Sequence, residues 1–242
     1  MKLMAFEKIP VCDVRCLPDP KSYIAPGDWC KIRKRTVAGW WEIGYPTAKG
    51  EKVRYIKNLK GFLCNQNDYP GVRYPAPGYE GATIRTSGCG VCSAVNALGA
   101  LKGIRLTVPQ VTQLAQSCGA RVSGGTNERV LLERLSRQYD LRFTTTDSLA
   151  QLQAHLQAGG VAICNVAGRG MFSTGGHFMA VPGMTDGKLL IADPGLYSGK
   201  YASAKRKAAV TVCGDLLLTR PETLDADCRG RSPKYYLLEE NR

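Results

Sequence analysis

The sequence predicts an α+β fold in which a helical half precedes an antiparallel sheet, with a small all-β module ahead of both. Three patterns lead there. Between residues 89 and 160, apolar side chains recur at helical spacing, from Ala94, Leu98 and Leu101, through Leu131 and Leu135, to Leu149, Leu152 and Leu156. From Val161 onward the apolar runs shorten to strand length. Before residue 64, brief aromatic and β-branched segments alternate with Gly, Pro and Asp.

In chain order, Trp29–Arg33, Trp40–Tyr45 and Val53–Ile56 read as strands of the first module, taken as residues 1–63. The Pro-, Gly- and Tyr-rich stretch 65–81 reads as a surface loop at the start of a second unit, 64–242. A helix starts at Cys89–Gly90 and is apolar nearly all round, which calls for burial. Thr107 with Pro109 opens a second helix running to Cys118, since proline is tolerated in a first turn. Thr126 is expected to cap a third and Asp147 a fourth, which Gly159–Gly160 ends. Strands follow at Val161–Val166, His177–Val181, Leu189–Ala192 and Tyr235–Leu238. Thr185-Asp186-Gly187-Lys188 forms a hairpin turn between the second and third. Residues 196–232 carry no readable period.

Charge and cysteine content narrow the partners. The chain of 242 residues carries a formal net charge of +13, densest at the N-terminus, where residues 1–63 hold 13 basic against 6 acidic side chains. Such a field favours polyanions, among them an anionic cell-wall polymer. No helix-turn-helix, zinc-finger or RNP-type pattern is present, so nucleic acid is not expected. No apolar run reaches the ~20 residues that span a bilayer, so the chain is not expected to be transmembrane. Glu7 and Lys8 interrupt any secretory apolar region, so synthesis in the cytoplasm without a signal peptide is expected, with release by lysis if it acts on a wall. Ten cysteines then read mostly as reduced thiols, with Cys30, Cys64, Cys118 and Cys164 as small apolar residues. Cys12 and Cys16 have no matching Cys/His pair, so no structural metal is expected.

Histidine is scarce, with only His155 and His177 in the chain. His155, among Gln and Ala in a helix, reads as a surface residue. His177 follows Gly175-Gly176 at the start of an apolar strand, where glycine lets a substrate or another backbone come close. Cys89 lies between Gly88 and Gly90 at a helix start, where the dipole and free N–H groups favour a thiolate. Asp193 ends the strand that pairs by hairpin with that of His177. Its 16-residue separation suits adjacent antiparallel strands, so its carboxylate is placed to orient an imidazole.

The ordered set QNDYPG, TIRTSGCGVCSAVNALGAL and GGHFMAVPGMTDGKLLIADPG resembles the papain-like cysteine peptidases related to bacteriocin-leader-processing domains, over about residues 64–200. That resemblance implies a papain-like fold with Cys89 as nucleophile, His177 as general base, Asp193 as orienting group and Gln66 as oxyanion donor. Gly90 and Gly176 would flank the substrate, and no cofactor or metal is implied. Two departures matter. Val91-Cys92-Ser93 stands where the family shows Pro-Thr-Ser, and Cys92 opens two rivals: a later nucleophile of the papain type, and a Cys-x-x-Cys redox pair. Separately, the order VRCLPDP, IAPGDWCKI, AGWWEIGY, VRYIKNLKGFL resembles a bacterial SH3-like barrel. It implies a peptidoglycan-binding or docking module, with Trp40, Trp41 and Tyr45 as ligand contacts or core.

Together these imply a peptidase or amidase acting through a thioester acyl-enzyme, with a peptidoglycan hydrolase of phage-lysin type as the leading substrate reading. A proteinase cutting polypeptides, for example after Gly-Gly, and a non-catalytic papain-like binding protein are the alternatives.

Overall fold

The computed structural model describes every residue except 15, 16, 37, 38, 169 and 242; Cys16 therefore lies outside the described residues. Six strands come first: β1 (Lys2–Met4), β2 (Ile9–Val14), β3 (Leu17–Ile24), β4 (Trp29–Arg35), β5 (Trp41–Thr47) and β6 (Gly50–Ile56). They form one antiparallel sheet in the order β1-β4-β5-β6-β2-β3. In β4, Cys30 and Ile32 are buried while Lys31 and Arg33 are exposed, the alternation of a half-solvated strand. Trp41 is 1% exposed and Tyr45 is buried, so both are core residues and not ligand contacts. Trp40 keeps part of its surface.

A 3-10 turn at Gln66–Asp68 leads to α1 (Ile84–Ser87), α2 (Cys89–Lys102), α3 (Val108–Ser117), the short pair β7 (Arg121–Val122) and β8 (Gly125–Thr126), and α4 (Glu128–Gln138). Then come β9 (Leu141–Thr146), α5 (Leu149–Gln157), β10 (Val161–Val166), β11 (His177–Thr185), β12 (Lys188–Ala192), α6 (Ala204–Ala209), β13 (Val210–Cys213), β14 (Leu216–Thr219), α7 (Pro221–Asp227) and β15 (Tyr235–Glu240). The second sheet has seven antiparallel strands in the order β13-β14-β12-β11-β10-β15-β9. The expected mixture of helices and antiparallel sheet is therefore present.

Helix α2 is the central element. Every residue from Gly90 to Leu101 is buried, as an all-apolar surface requires, and Gly103 ends it in the left-handed conformation at φ 66°. The N-terminal sheet packs on it: a Cβ at Gly99 would stand 2.8 Å from the terminal methyl of Met4. One hydrophobic cluster accordingly runs from Leu3, Ile24 and Trp41 through Leu98 to Leu238, and both Phe62 and Cys64 belong to it. The boundary expected at 63–64 thus falls inside a continuous core. A second cluster, holding Leu152 and Leu156 of α5 and Leu224 of α7, covers the other face of the seven-stranded sheet.

Several local expectations are corrected. Asn127 caps α4 by accepting from the Val130 N–H, while Thr126 hydrogen bonds with the Tyr74 hydroxyl at 2.9 Å. Ser148 caps α5, and Asp147 instead accepts from Ser232 Oγ and the Lys234 N–H, each at 2.8 Å. His155 is only partly exposed and does not simply face solvent. Its Nε2 lies 3.0 Å from the carbonyl oxygens of both Val161 and Leu238; a carbonyl only accepts, so Nε2 carries the proton and ties α5 to two strands. Gly160 makes this contact feasible, because a Cβ there would collide with His155 Nε2. Gly160→Ala is therefore expected to destabilise the fold by about 1–3 kcal/mol, read as a lower urea midpoint with an unchanged slope.

Candidate active site

The hairpin β11–β12 sets the geometry. Asp186 (φ 50°) and Gly187 (φ 71°) form its two-residue loop, both left-handed as a primed turn requires. Thr185 pairs with Lys188 and Gly183 with Leu190. Continued unbroken, that register would put Asp193 opposite Ala180, on the sheet face away from His177, because side chains alternate with period two. The register instead shifts: Ala180 pairs with Ala192, so Val181 and Pro182 together oppose Ile191. This bulge brings His177 and Asp193 to one face. Pro182, which has no N–H to donate, suits a bulge position.

His177 Nε2 then lies 2.8 Å from Asp193 Oδ1. The carboxylate is fully buried and saturated with donors. Oδ1 also accepts from the Gly195 N–H at 2.9 Å, and Oδ2 accepts from Lys200 Nζ and the Tyr201 hydroxyl, each at 2.7 Å. Burial alone would raise the Asp193 pKa, but hydrogen bonding to His177 and the charges of His177 and Lys200 hold it well below the usual carboxylate range.

Cys89, half-buried at the start of α2, lies near enough to the His177 side chain for each to shift the other's ionisation. The preceding Gly88 offers no side-chain cap, so the first-turn N–H groups are left for other acceptors. Burial opposes ionisation of the thiol. The polar influence and charge of His177, helped by the backbone at Phe178 and Gly90, outweigh it and lower the Cys89 pKa. Reciprocally, burial would lower the His177 pKa, but Asp193 and Cys89 push it up to about 9. The pair is thus a thiolate and an imidazolium over the pH window between the two titrations. If that ion pair is the working form, hydrolysis should fall in acid as the thiolate protonates and fall again with a limb near pH 9 as His177 loses its proton. A rate–pH profile checks this, and a limb near the ordinary histidine value of ~6.5 would contradict it.

The remaining sequence-derived candidates separate. Gln66 lies in the 3-10 turn before α1, its N–H bonded to the Pro194 carbonyl beside Asp193. Its side-chain amide donates to the Arg85 carbonyl at 2.8 Å, leaving a second amide hydrogen free. Gly90 is buried, and a Cβ there would collide with Glu128 and stand 2.8 Å from Thr126 Cβ. It serves close packing and not an open substrate face. Gly176 is exposed, with the Arg231 guanidinium against it: a Cβ would lie 2.5 Å from Nη2. Trp40, Trp41 and Tyr45 belong to the N-terminal sheet region and not to the elements carrying Cys89, His177 and Asp193. Cys92 is fully buried, and the neighbouring Cys64 together with burial raises its pKa well above the ordinary value. That environment suits neither a second nucleophile nor a redox partner for Cys89.

Four residues escaped the sequence reading. Lys200 and Tyr201 lie in the stretch without a period, and so does Arg231, near its end. Glu128 stands in the first turn of α4, a position that ordinarily complements the helix dipole. It is instead buried beneath Gly90 with neither carboxyl oxygen hydrogen bonded among the described residues. Burial and the neighbouring Cys89 raise its pKa well above the carboxylate range, keeping it neutral. Among the described residues no group of three His, Cys, Asp or Glu side chains could hold a metal, and no helix is long and apolar enough to cross a membrane.

No protein-family profile matches the chain, and no curated protein matches it in sequence. Among solved structures, a crystal structure from Bacillus anthracis described as a C39-like peptidase aligns over 64% of this chain and 89% of its own, with 15% identity and a TM-score of 0.43. So distant a likeness assigns neither a family nor an activity, and the functional reading stands on the site's own geometry.

Proposed function

We propose that the protein is a cysteine hydrolase that cleaves amide bonds through a thioester at Cys89. The reading is supported by the 2.8 Å His177–Asp193 hydrogen bond, together with the mutual influence of Cys89 and His177 that lowers the thiol and raises the imidazole. In the reaction, the Cys89 thiolate attacks the carbonyl carbon and the carbonyl's π electron pair moves onto oxygen. The Cys89 N–H and the free Gln66 amide hydrogen stabilise that oxyanion, each donor contributing ~3–4 kcal/mol. His177 gives its proton to the leaving amine as the C–N bond breaks. It then takes one from water as the water attacks the thioester, and the C–S bond breaks to release the acid and restore the Cys89 thiolate and His177 imidazolium. Asp193 holds Nε2–H throughout, so the other ring nitrogen faces the sulfur.

The substrate class proposed is the peptide of a bacterial cell wall, with residues 1–63 as an SH3-like wall-binding module. Two features support it. The N-terminal sheet presents exposed Lys31, Arg33, Lys34, Arg35 and Lys52, a field suited to an anionic wall polymer. At the other end, the Arg231 guanidinium over Gly176 makes no hydrogen bond or ion pair among the described residues, and its Nε is buried, so it is available to a substrate carboxylate beside the scissile bond. Mass spectrometry of purified walls digested with wild type and Cys89→Ala tests the proposal. Release of wall peptides by wild type alone is expected. Intact walls alongside cleavage of a protein substrate would replace it with a proteinase reading.

A further inference from the structure

Asp193 meets its environment through two oxygens, and only one faces histidine. Oδ1 takes the imidazole and the Gly195 N–H; Oδ2 takes Lys200 and Tyr201. Lys200 is 8% exposed and also donates to the Gly195 carbonyl at 3.1 Å, so one ammonium clamps both the carboxylate and the turn after it. A Cβ at Gly195 would lie 3.4 Å from both His177 Nε2 and Lys200 Nζ, so both groups border that turn. Burying an ammonium is costly unless it is paired and hydrogen bonded, and nothing in the proposed reaction uses it directly.

We propose that Lys200 is a positioning residue, its ammonium fixing Asp193 so that Oδ1 points at His177 while its charge offsets part of the carboxylate's pull on the imidazolium. The inference rests on the Cys89–His177 reading and extends it. The local charges support it. Cys89 thiolate, His177 imidazolium, Asp193 carboxylate and Lys200 ammonium sum to zero, with Glu128 held neutral beside Cys89. Tyr201 stays protonated, because burial and Asp193 raise its pKa far above the usual range, so it contributes a hydrogen bond and no charge. Arg206 stacks 5.8 Å from the Tyr201 ring centroid, donating to the Gly170 and Lys200 carbonyls. Buried Cys164 of β10 donates to the Met179 carbonyl at 3.3 Å, and the Arg231 guanidinium lies against Gly176, next to His177. Of these cations besides His177 itself, Lys200 alone bonds to Asp193. Without it, the uncompensated carboxylate at Nε2–H would stabilise the imidazolium more strongly, make the other ring nitrogen a weaker acid and slow its proton transfer to the leaving amine.

Two histidines make a direct test feasible. NMR titration of histidine-labelled protein is run on wild type, Cys89→Ser, Lys200→Met, Lys200→Gln and Tyr201→Phe. Lys200 and Tyr201 border a cavity of about 790 Å³, which leaves room for the replacement side chains. His177 is expected to titrate near 9 in wild type and lower in Cys89→Ser. In both Lys200 variants it should rise by ~0.5–1 pH unit, the scale of one nearby charge partly screened. It should stay within ~0.2 units of wild type in Tyr201→Phe, which loses a bond to the same oxygen but no charge. If one Lys200 variant fails to fold, the other carries the test. Identical His177 titration in wild type and Cys89→Ser would overturn the underlying thiolate–imidazolium reading. A normal Cys89→Ser response with no rise, or a fall, in the Lys200 variants would overturn the role given to Lys200 while leaving that reading intact.

Discussion

Cys89→Ala is expected to reduce amide hydrolysis on the order of 10⁵-fold with little change in stability. The proposed reaction has no other nucleophile: Cys92 is three residues on but buried against Cys64 with its thiol pushed up. The structural cost is small because Cys89 is only half-buried and α2 is anchored by the residues from Gly90 to Leu101. The variant therefore separates chemistry from folding. Residual rate should come from the oxyanion donors and binding alone. Release of peptide measured against wild type, with thermal melts of both proteins, checks the two halves of the expectation together.

Asp193→Asn should be nearly as damaging to activity and far worse for the fold. Lys200 and Tyr201 both donate to Oδ2, so the amide oxygen of asparagine must turn toward them. Its NH₂ group then faces His177 Nε2, which has to become an acceptor. The proton moves to the other ring nitrogen, the one needed to take a proton from the thiol, and activity is expected to fall by about 10³–10⁴-fold. Lys200 is left as a buried cation without its counter-ion, an arrangement that costs about 3–5 kcal/mol. The pH dependence has a defined sign. Asp193 has a depressed folded pKa, so its contribution is present above the unfolded value of ~3.9 and lost as acid titrates the folded carboxylate. His177 has a raised one, so its contribution is complete below ~6.5 and fades as pH climbs through about 9. The stability gap between wild type and variant should therefore be widest in the range bounded by those values and narrow on either side of it. A denaturant series at several pH values measures it.

The element pattern was largely legible because it rests on local periodicity. The apolar circumference of α2, the Thr107 and Pro109 that open α3 and the Asp186-Gly187 turn each report one segment's preference. Which residues of the candidate site would meet was legible, but not how the fold brings them together. A 16-residue separation between His177 and Asp193 looks like a simple hairpin relation, yet an unbroken hairpin from that turn would have put them on opposite faces. Only the bulge at Val181-Pro182 reconciles the two, and no side-chain period announces it. Lys200 and Tyr201 were unreadable for a different reason: their role comes from returning to Asp193 through a loop, a tertiary relation with no local pattern. The helix caps failed by one residue each, Asn127 for Thr126 and Ser148 for Asp147. In both places two adjacent polar residues compete, and tertiary partners decide which one caps. The aromatic candidates Trp41 and Tyr45 show the reverse case, side chains that suit a ligand surface but fill a core.

Selective alkylation reads the central arrangement most directly. At pH 6 an unperturbed thiol is ionised to well under about 1%, whereas Cys89 paired with protonated His177 should be ionised to a far greater extent. Treated briefly with iodoacetamide and mapped by mass spectrometry, Cys89 is expected to react at least about tenfold faster than the partly exposed Cys12 and Cys118, even after allowing for the weaker nucleophilicity of a low-pKa thiolate. His177→Ala should remove the advantage. Labelling of Cys89 no faster than Cys12 and Cys118, or undiminished in His177→Ala, would contradict a sulfur activated by that ring.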